Sequence, residues 1–141
     1  MNNVLNQLID VLKLKQIDKL HFEGCSEDLG YGNVFGGQVC GQAMMAAYQT
    51  VENLQVHSMH GYFLRAGDPS LPIQYEAQVI RDGRSFSARR VIARQYDKEI
   101  FTLNASFQQA EDGFEHQFDM PETTEPDILL SELEMRRRFK H

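Results

Sequence analysis

The length, composition and charge of this chain indicate a single acidic globular domain. Its 141 residues have the size of one domain, and 42% of them are hydrophobic, including nine Phe and five Tyr, which argues against extensive disorder. The formal net charge of −6 argues against nucleic acid as the main partner, because phosphate binding needs a basic surface.

The cysteines and the apolar segments bear on the cellular compartment. Cys25 and Cys40 fit no metal-binding spacing and are too few for a disulfide scaffold. No basic segment typical of a targeting signal opens the chain, and no apolar run approaches the length of a membrane span. We therefore expect a reducing cytoplasmic location, no metal site and no membrane partner.

The chain begins with a predicted amphipathic helix over residues 4–14, where apolar residues recur at helical spacing. Such a helix must lie on another part of the protein. A short strand is predicted over 21–25, and a glycine-rich passage over 30–37 follows it.

The next segment, residues 37–51, is helix-forming yet contains no charged residue. A helix on a protein surface normally shows a charged face. We therefore predict a central helix that is enclosed by the rest of the domain.

Four predicted strands follow, over residues 56–65, 71–81, 85–96 and 99–109, and apolar and polar residues alternate most clearly in the second and fourth. Short connections between them favour an antiparallel meander. A helix followed by such a meander predicts an α+β fold of the hotdog type, with an antiparallel sheet wrapped around a long central helix. We place this domain at residues 1–118, and interpret residues 119–141 as a linker and the start of a missing or truncated second part.

The start of the predicted central helix is a candidate binding site. Free backbone N–H groups at Gly36, Gly37 and Gln38 could hold an oxyanion or a carbonyl oxygen. The alternative is that the two glycines only permit close packing of the helix on a strand.

A second candidate is the arginine cluster between residues 81 and 91. In an acidic chain, Arg84 and Arg89 could bind the phosphates of a nucleotide-bearing ligand. Alternation sends Arg89 and Arg90 to opposite faces, so the four arginines cannot all serve one site. Simple solvation is the competing interpretation.

Histidine supplies the remaining candidate for catalysis. Alternation places His57 and His60 on opposite faces of one strand, and His57 could act as a general base near the start of the helix. A structural role is the alternative for each. Residues 37–51 hold no Asp or Glu, so the helix lacks the carboxylate that hotdog enzymes commonly use.

Several segments together resemble the N-terminal half of the acyl-CoA thioesterase II family. They are Ser26–Gly30, Val34–Gln38, Val56–Ser58, Phe63–Arg65, Arg81–Gly83, Ser85–Val91, Ala105–Gln108 and Gly113–His116. The resemblance implies hydrolysis of medium- to long-chain fatty acyl-CoA to free fatty acid and coenzyme A, with no redox or metal cofactor. It also implies two hotdog repeats in one chain, with the catalytic Asp, Ser or Thr, and Gln in the second repeat, so no catalytic residue is carried over from it.

Two alternatives to a hydrolase remain. One is a non-catalytic hotdog scaffold, or an acyl-CoA-binding or dimerisation module, which the missing helix carboxylate favours. The other is a hotdog dehydratase, which would need a paired His and carboxylate. Because a single hotdog domain leaves a sheet edge uncovered, we expect homo-oligomers formed by hotdog–hotdog pairing.

Overall fold

The structure is a computed structural model that describes residues 2–139, with side chains from Val4 onward. It divides into two compact units, Met1–Glu111 and Asp112–His141. The predicted boundary at residue 118 lies within the second unit. Across the described residues, no helix is long and apolar enough to cross a membrane.

The first unit consists of two helices and a six-stranded sheet. The elements in chain order are α1 (Asn2–Leu12), β1 (Lys15–Gln16), β2 (His21–Gly24), α2 (Gly36–Tyr48), β3 (Gln55–Phe63), β4 (Ile73–Asp82), β5 (Phe86–Gln95) and β6 (Lys98–Gln108). The predicted helices and strands are confirmed, and most of their ends lie within about three residues of the predicted ones.

All neighbouring strands of the sheet are antiparallel, in the order β1-β2-β4-β5-β6-β3. The predicted meander is confirmed for β4, β5 and β6. It is wrong for β3, which pairs with β6 at the far edge of the sheet and not with β4. The connection over residues 64–72 is too long for a tight hairpin. It carries the chain past β6 and β5 to the position of β4 in the sheet.

Helix α2 packs against one face of this sheet, here called the inner face. Ala43, Ala46 and Ala47 are fully buried against strand residues that include Phe101 and Leu103. Their small side chains allow the helix to approach the sheet closely. The predicted central helix is therefore confirmed, but it is not enclosed on all sides, because Gly37 and Met45 are exposed.

Helix α1 contacts the domain mainly through its last turn. Val11 is buried, and its carbonyl oxygen accepts a hydrogen bond of 2.6 Å from Nε2 of Gln42 on α2. The earlier apolar side chains of α1 are exposed: Val4, Leu5, Leu8 and Ile9. The expectation that this helix lies on the protein thus holds only for its end.

The second unit contains a single 3-10 turn (Pro126–Ile128) and helix α3 (Glu132–Arg138) among its described residues. Ser131 caps α3, since its hydroxyl accepts from the backbone N–H of Glu134 while the Glu134 carboxylate accepts from Ser131. Both elements lie in the segment 119–141 that the sequence analysis interprets as a linker and the start of a second part, of which residues 140 and 141 lie outside the described residues.

Candidate functional site

The start of α2 presents two backbone N–H groups without acceptors. Phe35 is the N-cap residue, its side chain makes no capping hydrogen bond, and its carbonyl oxygen accepts from Gln38 N at 3.0 Å and Val39 N at 3.3 Å. Within residues 2–139, no acceptor contacts the N–H groups of Gly36 and Gly37. They lie at the positive end of the α2 dipole, where they can hold a carbonyl oxygen that gains negative charge.

An open cleft of about 430 Å³ lies beside this helix start. The loop between β3 and β4 closes one side of it, since Gly67 O accepts from Val34 N at 2.9 Å. Most of the wall is apolar, and no carboxylate from the described part of the chain contributes to it. The wall is formed by Val34, Gly36, Val39, Phe63, Leu64, Arg65, Ala66, Gly67 and Ile100.

Both glycines also allow two phenylalanine rings to pack closely against the start of α2. A Cβ atom on Gly36 would lie 3.0 Å from the ring of Phe63, and one on Gly37 would lie 2.5 Å from the ring of Phe35. Real Cβ atoms rarely come so close to other atoms. The packing interpretation and the binding interpretation are therefore compatible, because Gly36 remains half-buried and Gly37 exposed despite these neighbouring rings.

Gln38 does not extend into the cleft. Its Nε2 donates to Cys25 O at 2.9 Å and its Oε1 accepts from Glu27 N at 3.2 Å. Both ends of the buried amide thus hold the segment that precedes α2. Its backbone N–H, the group expected to bind a ligand, donates to Phe35 O at 3.0 Å, so a ligand contact from Gln38 stays a prediction.

Arg89 is likewise engaged within the domain, with only 3% of its surface exposed. All three guanidinium nitrogens have partners: Nε and Nη2 donate to Thr50, Nη1 donates to the carbonyl oxygens of Arg81 and Ala88, and Nη2 forms an ion pair with Asp82 at 2.7 Å. The donors of Arg89 are therefore occupied within the domain, and the phosphate contact expected from Arg89 stays a prediction without support from this geometry. Arg90 is exposed on the opposite face, as the alternation predicts.

Arg84 is exposed near Thr50 and Asp82, at the end of α2 opposite to Gly36. A helix of 13 residues separates the two ends by about 20 Å. The structure therefore does not bring Arg84 together with the two glycines.

His57 is displaced from its expected position by a β-bulge between Val56 and Ser58. The extra residue breaks the alternation of β3, and His57 Nε2 lies 2.8 Å from the hydroxyl of Ser106 on the outer face of the sheet. His60 pairs with Asn104 on that same face, so the prediction of opposite faces is wrong.

His57 also lies far from the cleft along β3. Phe63, which borders the cleft, lies six residues further along β3, or about 20 Å away. The structure thus does not place His57 near Gly36.

A buried polar network beside α2, centred on Gln42, is not predicted from the sequence. Gln42 is fully buried, donates to the carbonyl oxygens of Val11 and Cys25, and accepts from the Tyr75 hydroxyl at 2.7 Å. Burial raises the pKa of Tyr75 far above its usual range, so this hydroxyl remains a donor. Two glutamines four residues apart in an uncharged helix were the available indication.

The thiol of Cys40 shows how burial affects a cysteine in this domain. Burial raises the pKa of the Cys40 thiol, which keeps it protonated. Among residues 2–139, no three His, Cys, Asp or Glu side chains lie close enough to hold a metal ion.

Comparison with known proteins identifies relatives along most of the chain. Residues 26–108 match the family described as acyl-CoA thioesterase N-terminal domain. The chain is 48% identical over 133 residues to acyl-CoA thioesterase 2 of Haemophilus influenzae, covering 94% of this chain and 46% of that protein. It is 47% identical over 122 residues to human acyl-coenzyme A thioesterase 8, covering 85% of this chain and 38% of that protein.

Solved structures agree with the fold. A tesB protein of Mycobacterium avium subspecies paratuberculosis is 35% identical with a TM-score of 0.81, over 87% of this chain and 49% of that one. The acyl-CoA thioesterase II TesB2 of Mycobacterium marinum is 40% identical with a TM-score of 0.76, over 85% and 45%. A hotdog-fold protein from Alicyclobacillus acidocaldarius, 23% identical with a TM-score of 0.74 over 86% and 47%, supports the fold alone. The hotdog prediction is confirmed.

These matches also show how much of its relatives the chain covers. The chain spans less than half the length of the two curated relatives, and the family match lies between residues 26 and 108. Since that match covers more than half of the residues, the chain belongs to the acyl-CoA thioesterase N-terminal domain family.

Proposed function

We propose that this domain is one half of an acyl-CoA thioesterase that hydrolyses medium- to long-chain fatty acyl-CoA. The observation that carries the proposal is the open cleft at the start of α2, where Gly36, whose N–H group is free, meets a largely apolar wall, with the free N–H group of Gly37 on the next residue. The relatives named acyl-CoA thioesterases support it. A purely non-catalytic module is not favoured, because those relatives are enzymes by name.

The two N–H groups would bind the carbonyl oxygen of the thioester. Water adds to the carbonyl carbon, negative charge develops on the oxygen, the C–S bond breaks, and the fatty acid and the thiol of coenzyme A leave. Hydrogen bonds aimed at that oxygen lower the barrier because the charge is greatest in the transition state. The reaction needs no cofactor.

A base for the attacking water must come from outside the cleft, since no carboxylate lines it. Phe63 both borders the cleft and ends β3, the edge strand of the sheet. Most of β3 is exposed, including Met59, Tyr62 and Phe63. We infer that a second hotdog domain pairs along β3, covers the cleft and supplies the base.

A second repeat could supply the base, whereas a second copy of this chain would cover the cleft and leave the base missing, since its own cleft lining in the described residues holds no carboxylate. Pairing of copies would make the chain a homo-oligomer. Cys25 and Cys40 are both free thiols, which fits the cytoplasm as the proposed location.

The experiment compares this chain alone with a two-part protein. In the latter, the chain is joined to the part of the H. influenzae thioesterase that it does not match. Release of thiol from acyl-CoA of increasing chain length is measured for both. We expect little or no turnover by the chain alone and clear turnover by the two-part protein. If the two-part protein folds and hydrolyses no acyl-CoA of any length, the proposed function is wrong.

A further inference from the structure

Gln95, the last residue of β5, is a buried glutamine whose side chain binds the loop between β3 and β4 (residues 64–72). Only 5% of its surface is exposed. Its Oε1 accepts from Asp68 N at 2.7 Å, and its Nε2 donates to Asp68 O at 2.7 Å and to Leu71 O at 3.0 Å. Three hydrogen bonds from one side chain therefore fix residues 68–71 to the end of the sheet.

A primary amide suits this task because it carries two donor hydrogens and one acceptor oxygen. A glutamate would lack the donors, and an asparagine is shorter by one methylene. Burial of a polar side chain is unfavourable unless the side chain is hydrogen-bonded, so an apolar residue would serve packing alone better at this position. The loop that Gln95 holds thus accounts for its amide.

The loop fixed by Gln95 contacts the segment that leads into α2. Gly67, next to Asp68, is buried, and its carbonyl oxygen accepts from Val34 N at 2.9 Å. A Cβ atom on Gly67 would lie 3.2 Å from Gln95 Oε1 and 3.2 Å from Val34 Cγ2, so the loop packs closely between these two residues. Val34 precedes Gly36 by two residues, and both border the cleft.

The same loop also holds the other end of that segment. The hydroxyl of Ser26 donates to Leu71 O at 2.7 Å. Between this contact and the one at Val34, residues 28–33 are exposed, and Gly30 and Gly32 adopt positive φ angles of 81° and 75°. The position of the segment, and of the start of α2 that follows it, therefore depends in large part on the loop.

We propose that Gln95 is a positioning residue for the carbonyl-binding site at the start of α2. By fixing the loop, it holds the free N–H groups of Gly36 and Gly37 where the thioester oxygen gains negative charge. The inference rests on the proposed function and adds a residue that does not itself line the cleft. Hydrogen bonds to that oxygen are strongest in the transition state, so loss of Gln95 should lower kcat and leave KM nearly unchanged.

Gln95→Asn in the two-part protein is the first test. The shorter amide cannot reach all three loop atoms, and a displacement of about 1 Å at a catalytic site can lower a rate by about a hundredfold. We expect kcat to fall by about tenfold to a hundredfold, with KM changed by less than about twofold. The circular dichroism spectrum should stay native.

Gln95→Glu supplies a second readout, the pH dependence. Its carboxylate would face two carbonyl oxygens without a donor, whereas the protonated acid regains one donor, and burial raises the pKa of such a carboxyl. The ratio of its kcat to the native kcat should therefore rise as the pH falls from about 8 to about 5. The neighbouring Asp68 cannot cause this rise, because hydrogen bonds from the hydroxyl and N–H of Ser70 lower the pKa of Asp68. For Gln95→Asn, which does not titrate, the ratio should stay constant.

Tyr75→Phe is the matched control. It removes the hydrogen bond of another buried side chain, from the Tyr75 hydroxyl to Gln42, and leaves the loop untouched. Its kcat should stay within about twofold of the native value. An equal loss of kcat in Tyr75→Phe and Gln95→Asn would show a general effect of core damage and would overturn the positioning role.

The remaining outcomes are distinct. If the folded Gln95→Asn and Gln95→Glu proteins keep native kcat, or if the ratio for Gln95→Glu does not change with pH, the positioning role is wrong while the proposed function stands. If neither variant folds, Gln95 serves the stability of the whole domain, which also overturns the proposal. If the native two-part protein hydrolyses no acyl-CoA, the proposed function fails and this inference fails with it.

Discussion

Arg89 on β5 and Thr50, two residues beyond α2, are joined by two hydrogen bonds. Nε of Arg89 donates to the Thr50 hydroxyl at 2.8 Å, and Nη2 donates to its carbonyl oxygen at 3.0 Å. The same hydroxyl donates to Ala47 O at 2.7 Å. The end of the central helix is thereby fixed to the sheet through one buried guanidinium.

Replacing Arg89 by Met should lower the free energy of unfolding by about 2–3 kcal/mol, because several buried acceptors lose a charged donor at once. The urea midpoint measures this. Arg90→Met is the control: its side chain is exposed on the opposite face, so its effect should stay within about 0.5 kcal/mol. Equal shifts for the two variants would show that Arg89 does not fix the helix.

Exchanging Ala47 for Asp should unfold the domain. Ala47 is fully buried against the sheet, and an unpaired charge there costs several kcal/mol, which is comparable to the total stability of a small domain. Met45→Asp on the same helix is the matched control, since Met45 is 37% exposed. Circular dichroism should show loss of structure for the first variant only. A folded Ala47→Asp protein would contradict the central position of α2.

Replacing Gly36 by Pro tests oxyanion binding at the start of α2. Proline is favoured at the first position of a helix, and the extended conformation of Phe35 (φ −63°, ψ 124°) is compatible with a following proline. The change removes one free N–H and should lower kcat of the two-part protein by about a hundredfold. Gly36→Ala adds the same Cβ near Phe63 and retains the N–H, so it should remain far more active. Equal activity of the two variants would exclude that N–H from catalysis.

His57→Ala should leave turnover by the two-part protein nearly unchanged. The imidazole contacts Ser106 and the ring of Phe86 on the outer face of the sheet, away from the cleft. Water can replace it at this exposed position, so the stability loss should stay below about 1 kcal/mol. Loss of activity with an intact fold would restore His57 as the base.

Light scattering at micromolar concentration should show a dimer or a larger oligomer of this chain. If pairing follows β3, Tyr62→Lys should weaken it, because a lysine on an edge strand opposes strand addition. Tyr96→Lys is the control: both tyrosines are exposed, at 61% and 78%, but Tyr96 lies in the turn between β5 and β6. A native chain that remains monomeric would rule out self-pairing.

The sequence predicts local structure well where one face of a strand is buried. Alternating residues such as Tyr75 and Ala77 on β4 indicate the strand and the face that meets α2. The pairing of β3 with β6 is not predictable in this way, because it joins segments far apart in the chain. The bulge that turns His57 outward is not predictable either, because it depends on the pairing of β3 with β6 and not on the types of residue in β3.

The candidate site is predictable only in part. The Gly36–Gly37 pair is recognisable because an uncharged helix begins there. The role of Arg89 is not, since a buried arginine and a solvated one look alike until Thr50, 39 residues away, is known to accept its hydrogen bonds. The roles of Gly36, Gly37 and Arg89 in binding a ligand therefore stay predictions, although the structure shows which of their groups already have partners.

The hydrogen bond from Gln42 to the carbonyl oxygen of Val11 attaches α1 to α2 at the C-terminal end of α1. Its last turn is fixed by that bond and by Leu12, which packs where a Cβ on Gly41 would lie, while the apolar side chains of its first two turns are exposed. A small pivot about Val11 would therefore move Val4 much further than Leu12. The exposed apolar side chains at the start of α1 would therefore move without disturbing the buried residues of α2.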